Sequence, residues 1–275
     1  MIESDNRGGA GLASNEFSGE AQRIAEAFVA ARREGRALPD YPGRLPATLA
    51  DGYAVQDVAI ALNGSTIGGW KVGRVNPPLD GTERLAGPIF ADRIVEADGD
   101  VPGMTIFSDG FGAAEAEFLL RVGATPPAGQ TSFTRDEAKA LIDAVHVGIE
   151  VASSPFPGIN DHGAPVTVSD FGNNNGLVIG AAVPGWRDDA FERWPVELRI
   201  NGAVIGRGQA VDMLDGAIGA ARFLFGALAM RGIAIEPGQW ISSGAVTGVH
   251  PVGVGDRVEA RFDDRFTVAC GIEAS

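Results

Sequence analysis

Apolar positions recur along this chain with two periods, and the change between them falls near residue 68. From about 19 to 34, Ile24, Phe28 and Ala31 share one face at helical spacing, and Gly35 follows as a C′ residue. A second helix is predicted from Thr48 to about Leu62, because Thr48-Leu-Ala-Asp51 resembles a capping box with Asp in place of Glu. From Gly68 the runs shorten and are broken by Gly, Pro and Asp. Segments 70–72, 87–90, 116–122 and 145–151 read as strands. Between the last two, Thr134-Arg-Asp-Glu137 opens a helix that Ala138, Leu141, Ile142 and Val145 would continue. Residues 196–200 alternate strictly, meet Asn201-Gly202 and resume at 203–205, which predicts a two-residue hairpin. A long helix over about 213–230 closes at Gly232, and two strands, 257–262 and 265–270, flank Asp263-Asp264.

This pattern divides the chain into three parts. Residues 1–16, rich in Gly, Ser and Asn, are expected to be a flexible tail. Residues 17–67 form an N-terminal helical layer, and 68–275 form one catalytic α+β domain dominated by a curved mixed sheet. The 39 glycines have no fixed period and sit between apolar runs, as tight turns in a strand-rich fold require.

Charge narrows the set of partners. With 36 acidic and 22 basic residues the formal net charge is −14, a surface that repels phosphate backbones and anionic headgroups. No nucleic-acid or membrane partner is expected. An anionic substrate would also be repelled, so a site for one needs local positive charge. Cys270 is the sole cysteine, which excludes an intrachain disulfide. The first residues include acids and have no apolar h-region, and no run approaches the roughly 20 apolar residues of a membrane span. The expected location is cytoplasmic.

Candidate chemistry begins with Glu115-Ala-Glu117. In a strand, i and i+2 face one way, so the two carboxylates project together with Cα atoms roughly 6.5–7 Å apart. Such a pair suits the wet face of an amphipathic strand. It also suits a hard divalent cation, since carboxylate oxygens favour Mg²⁺, Mn²⁺ or Ca²⁺ over zinc or copper. Glu150 shifts the balance. It lies in the nearly continuous apolar run Val147-Gly-Ile-Glu-Val-Ala152, where an unpaired carboxylate is expensive to bury, and a cation shared with Glu115 and Glu117 explains it more simply. Lys71, among the small and apolar neighbours of Gly68-Gly-Trp-Lys-Val-Gly73, either snorkels to solvent or faces those carboxylates and binds a substrate oxygen. The loop Ser242-Ser-Gly-Ala-Val-Thr-Gly248 offers hydroxyls and N–H groups for a carboxylate through Ser243, Gly244 and Thr247, although its composition also suits a plain turn. Other signatures are missing. There is no Gly-x-Ser-x-Gly elbow and no Walker A loop, Gly110-Phe-Gly112 lacks the rest of a dinucleotide fingerprint, and the three histidines show no zinc spacing. His162, in Asn160-Asp-His-Gly163, reads as a solvated loop residue or an acid/base on a lid.

Five motifs together resemble a known group. Gly69-Trp-Lys-Val-Gly73, Ala114-Glu-Ala-Glu-Phe118, Gly148-Ile-Glu-Val151, Asn173-Asn-Asn-Gly-Leu-Val-Ile-Gly180 and Gly238-Gln-Trp-Ile-Ser-Ser-Gly244 occur in the order seen in the 2-keto-4-pentenoate hydratase / 4-oxalocrotonate decarboxylase group of the fumarylacetoacetate hydrolase superfamily. The resemblance covers the chain from about the second helix to the C-terminus. It implies a rolled mixed β-sheet with a helical N-terminal portion, assembled into homo-oligomers, in some cases with a pathway partner enzyme. It also implies Mg²⁺ or Mn²⁺ at Glu115, Glu117 and Glu150, Lys71 acting on the head of a small 2-oxo acid, and Asn174 in substrate binding. The implied reaction is hydration of a 2-hydroxydienoic acid to a 4-hydroxy-2-oxo acid, as in meta-cleavage of aromatic compounds. Decarboxylation of a 4-oxalocrotonate-like acid, C–C hydrolysis of an acylpyruvate and a non-catalytic partner subunit are the alternatives. One position departs from the pattern. The hydratases lead one to expect an acid just before Gly87, where this chain has Ala86, and the decarboxylase branch also tends to lack one. The proton donor and the reaction type stay open on that account.

Overall fold

A computed structural model describes residues 9–97, 99 and 101–275, with side chains from 19 onward. Helix α1 (Gly9–Glu34) starts within the stretch expected to be a tail, and residues 1–8 lie outside the described residues. Helix α2 (Leu49–Asn63) begins where the capping box placed it. Thr48 Oγ1 accepts from Asp51 N, Asp51 Oδ2 accepts from Thr48 N, and Gly64 closes the helix in the left-handed region.

The strands are β1 (Ile67–Leu79), β2 (Thr82–Phe90), β3 (Ile94–Glu96), β4 (Gly103–Ile106), β5 (Phe111–Val122), β6 (Ile142–Ser154), β7 (Asn174–Ala182), β8 (Val196–Ile200), β9 (Ala203–Gly208), β10 (Trp240–Ser242), β11 (His250–Pro251), β12 (Arg257–Phe262) and β13 (Phe266–Ala274). Helices α3 (Arg135–Ala140), α4 (Ala164–Ser169) and α5 (Gly216–Met230) lie among them. The architecture is mixed α+β, but with two sheets where the sequence suggested one curved sheet. The larger runs β2-β1-β10-β5-β6-β7-β3 with β11 on β5; the smaller runs β4-β13-β12-β8-β9.

Helix α3 is shorter than its pattern implied. Its capping box at Thr134 and Glu137 forms, but the helix stops at Ala140, and Ile142 and Val145 belong to β6. The β-branched run Ile142, Val145, Val147, Ile149 and Val151 pairs with β5 from Val122 back to Ala114, and this pairing outweighs a helical register supported by few residues. The predicted hairpin forms between β8 and β9, with Asn201 and Gly202 both at positive φ, as a two-residue primed turn needs.

One face of the large sheet packs Trp70, Val72, Ala116, Phe118, Leu120, Val147 and Ile149 against α5 and the smaller sheet. The opposite face carries a smaller apolar floor, Ile89, Leu119, Leu177 and Ile179. The helical layer docks at the free edge of β2. There Tyr53 Oη accepts from Ala86 N (2.9 Å) and Gln56 Nε2 donates to Ala86 O (3.0 Å), so an otherwise open strand edge is capped by side chains of α2. No helix among the described residues is long and apolar enough to cross a membrane.

Candidate metal centre

The site is a row of polar side chains across five neighbouring strands, β1-β10-β5-β6-β7. Glu115 and Glu117 leave one face of β5, while Ala116 and Phe118 enter the core on the other. Glu115 is the direct cross-strand partner of Glu150 on β6, and Glu117 is opposite Gly148. A Cβ at Gly148 would lie 2.3 Å from Leu119 Cδ1 and 2.9 Å from Val178 O, so this position opposite Glu117 is closely packed by Leu119 and Val178. One oxygen from each of the three carboxylates lies within 4.8 Å of the others, and all three residues are buried.

Strand β10 lies between β1 and β5 and pairs Ser242 with Lys71 on one side and Leu119 on the other. The Ser242 hydroxyl lies 2.5 Å from Glu117 Oε2 and 3.2 Å from Glu150 Oε2, and Gly244 N donates to Glu117 Oε2 at 2.9 Å. Lys71 Nζ is 2.8 Å from Glu150 Oε1, which also accepts from Asn174 Nδ2 at 3.0 Å. Glu117 Oε1 remains buried with no hydrogen-bond partner among the described residues.

A left-handed turn supplies the last contact. Phe171, Gly172 and Asn173 follow one another at φ 56°, 63° and 59°, a costly conformation for two of the three. It is held by a part-buried bidentate pair from Arg32 of α1 to Asp170, at 2.6 and 2.9 Å. Gly87 admits the turn, since a Cβ there would lie 2.1 Å from Phe171 O. The turn aims Asn173 Oδ1 at Lys71 Nζ (2.9 Å), while Asn173 Nδ2 donates to Asn160 Oδ1 (3.0 Å).

Three buried acids and one buried ammonium cannot all keep their ordinary ionisation. Burial, with Glu150 adding to it and Lys71 opposing, pushes the Glu115 carboxyl up to about 7. Burial and the neighbouring Glu150 and Glu115 raise Glu117 well above the usual carboxylate range, against the pull of Ser242 and Gly244. Burial by itself would lower Lys71, but Glu150, Glu115 and Glu117 outweigh it and hold the ammonium above the normal lysine value. The donor set therefore fits a hard divalent cation: oxygen ligands only, surplus negative charge, and one buried oxygen with nothing facing it.

A pH dependence follows for the metal-free protein. Glu115 and Glu117 hold protons more tightly folded than unfolded, where the value is 4.5. Their contribution to stability is thus full below about pH 4.5 and is lost as the pH rises through about 7. Carboxylates with lowered values (Glu20, Glu137, Glu197 and Asp215) act below this window. In EDTA the melting temperature should fall between roughly pH 5.5 and 8, and Mg²⁺ should restore most of the loss at the upper end while releasing about one to two protons. Melting curves that stay flat over this range, or binding without proton release, would contradict the arrangement.

Glu115 opens onto a cavity of about 930 Å³, lined also by Lys71, Asn173, Ser243 and Gly244 among others, whereas Glu117 and Glu150 are not among its lining residues. The Ser243 and Thr247 hydroxyls are buried without partners among the described residues. Ser243 and Gly244 line the cavity, but Thr247 is not among its lining residues, and the Gly244 amide is already engaged by Glu117. Asn174 faces Glu150, while its neighbour Asn173 reaches the cavity. His162 lines the cavity, exposed and stacked on Phe156 with ring centroids 5.9 Å apart. Sequence reasoning overlooked Ser242 as the bridging hydroxyl, although strand alternation from the core residue Ile241 points it to the site face. It also missed Asn173 and Asn160.

No family model matches the chain. Solved structures do share its fold. The chain is similar to 4-oxalocrotonate decarboxylase from Pseudomonas putida G7, complexed with calcium and acetate, at 21% identity and a TM-score of 0.75 over 92% of this chain and 97% of that one. The same enzyme complexed with magnesium and adipate gives 22% and 0.76 over the same shares. Fumarylpyruvate hydrolase from Pseudomonas aeruginosa, in complex with Mn²⁺ and pyruvate, gives 17% and 0.55 over 75% of this chain and 89% of that one.

Proposed function

We propose that this chain, which has the fold of the fumarylacetoacetate hydrolase superfamily, is a metal-dependent lyase that hydrates a small 2-hydroxydienoic acid to a 4-hydroxy-2-oxo acid. The observation that carries the reading is the buried triad, Glu115, Glu117 and Glu150, which through Glu115 meets a cavity also lined by the Lys71 ammonium and the Ser243 hydroxyl. These three residues would hold Mg²⁺ or Mn²⁺, which when bound supplies Lewis-acid polarisation of the 2-oxo and carboxylate oxygens of the substrate.

The chain's own groups do the rest. Lys71 Nζ, fixed by Glu150 and Asn173, presents an N–H to the oxo-acid head and a proton to the reacting system. Ser243 Oγ, buried and free, takes a carboxylate oxygen. Ketonisation of the dienol moves a proton to the terminal carbon and leaves an electrophilic alkene. Water then adds its oxygen at C4 and a proton at C3. Assembly as a homo-oligomer, alone or with a pathway partner enzyme, belongs to the same reading.

Decarboxylation on the same site is the second reading, and Ala86 favours it. Ala86 is buried, with its N–H and C=O both engaged by α2, so no acid stands before Gly87. The carboxyl and imidazole side chains that do line the cavity are Glu115, His162 and Asp212, the last two exposed. Loss of CO₂ needs only one proton returned to carbon, and Lys71 suffices for that. The deciding experiment is a UV assay of 2-hydroxypenta-2,4-dienoate and 4-oxalocrotonate consumption with products identified by mass spectrometry, with and without Mg²⁺ or Mn²⁺. Cation-dependent formation of the 4-hydroxy-2-oxo acid supports hydration, and CO₂ release transfers the assignment to the decarboxylase. Cation binding without turnover of either acid leaves a non-catalytic partner subunit.

A further inference from the structure

Two consecutive asparagines hold the two halves of one ion pair. Asn173 Oδ1 accepts from Lys71 Nζ at 2.9 Å, and Asn174 Nδ2 donates to Glu150 Oε1 at 3.0 Å. The same Glu150 oxygen lies 2.8 Å from the ammonium. A lysine ammonium carries three N–H groups on a flexible stem, and the stem alone does not fix where they point. Glu150 takes one and Asn173 a second, and these two set the direction of the third. Lys71 lines the cavity, so that direction decides whether an N–H meets a bound molecule.

Asn173 does not hold its place by local preference, because it is the last of three successive left-handed residues. One guanidinium from the helical layer closes the turn. Arg32 Nε and Nη2 donate to the two oxygens of Asp170, one residue before the turn, at 2.6 and 2.9 Å. Nη1 donates to Asn175 Oδ1 at 3.1 Å, two residues after it, and Nη2 also reaches Ser153 O of β6 at 3.1 Å. All three nitrogens are engaged, so one planar group ties both ends of the turn to β6. The ring of Phe171 lies beside it, with its centroid 5.1 Å from Arg32 Cζ. Asp170 is 0% and Asn175 6% exposed, so little water competes for these contacts.

We infer that Arg32 is a positioning residue for Lys71, acting at a distance through the 170–175 turn and Asn173. The inference deepens the reading above and rests on it for the reaction that Lys71 serves. Arg32 is not among the residues that line the cavity, whereas Asn173 and Lys71 are. Its influence on a bound molecule therefore has to pass along the turn. The helical layer then does more than cap the edge of β2: α1 supplies the clasp that orients the ammonium.

The test uses the full chain with isotope-labelled lysine. The chain has two lysines, Lys71 and Lys139, and Lys139 serves as an internal control because it pairs with Asp189 and does not line the cavity. Arg32→Gln and Asp170→Asn each break the clasp from one side, and circular dichroism checks their folds. In both, the Lys71 Cε–Hε cross-peak should move toward its position in Asn173→Ala, with that of Lys139 unmoved. Given Mg²⁺ and the acid that the assay above identifies, each of the three single variants should lose about tenfold in kcat. The double variant Arg32→Gln/Asn173→Ala should lose no more than Asn173→Ala alone, since the two residues act in series. A Lys71 cross-peak that stays in place in a folded clasp variant overturns the inference, as does a double-variant loss equal to the product of the single ones. Unfolding of both clasp variants makes Arg32 structural and overturns it too. If the cross-peaks move as expected and neither acid turns over, the positioning of Lys71 stands and the 2-oxo-acid reading falls.

Discussion

Glu117→Gln is expected to lose at least about a hundredfold in divalent-cation affinity, some 2.7 kcal/mol, together with turnover, while remaining folded. The substitution keeps the shape. One amide oxygen can still accept from Ser242 Oγ and Gly244 N, the two donors that face Glu117 Oε2. The amide nitrogen would replace Oε1, which faces no donor, and would present N–H groups to the carboxylates of Glu115 and Glu150. Removing one of three buried like charges also relieves the metal-free protein. Glu117→Gln should therefore melt above the unaltered protein in EDTA at about pH 8, where the carboxylates are pressed to ionise. Calorimetric Mg²⁺ titration and thermal melts check both halves. An unchanged Mg²⁺ isotherm would remove the metal centre from the account, and unfolding of the variant would show that the carboxylate is structural.

Lys71→Met is expected to behave in the opposite way: it should bind Mg²⁺ but cost at least about tenfold in rate, or 1.4 kcal/mol of barrier. The ammonium lies 2.8 Å from Glu150, whose side chain is 1% exposed. Without it Glu150 keeps the Asn174 amide but loses its counter-charge, and breaking a buried pair on one side costs about 3–5 kcal/mol. Metal-free Lys71→Met should thus melt well below the unaltered protein, and Mg²⁺ should recover much of the difference because a cation answers the same carboxylate. Wild-type kinetics in this variant would end the proposed role of Lys71. A loss of stability that Mg²⁺ leaves unchanged would mean that the ion does not share the space of these carboxylates.

Much of this site was legible in one dimension because it obeys strand alternation. Glu115 and Glu117 had to share a face once Ala116 and Phe118 were assigned to the core, and Glu150 stood out as a charge within an apolar run. The same rule points Ser242 to the site face, opposite Ile241. Asn173 was harder to read. Its reach to Lys71 depends on three successive left-handed residues, and Phe171 carries no local sign of that conformation. The short helix α3 misled for a related reason: 3.6-residue spacing of Leu141, Ile142 and Val145 is compatible with a helix, and only pairing with β5 decides against it.

The sequence by itself determined the elements whose signals are local: the capping box at Thr48, the Asn201-Gly202 turn, the parity of the Glu-x-Glu strand and the demand that an isolated buried carboxylate find positive charge. Each depends on residues within a few positions of one another, where sterics and hydrogen bonding leave little choice. Tertiary structure decided which strands became neighbours. It placed β10 between β1 and β5 and so brought Ser242 and Lys71 to the carboxylates, split the strands into two sheets, and set Arg32 of α1 against the turn that carries Asn173. Those contacts join residues up to 171 positions apart, as Lys71 and Ser242 are. They form because the sheet must bury both apolar faces and pair its backbone at once, a condition that no single segment states.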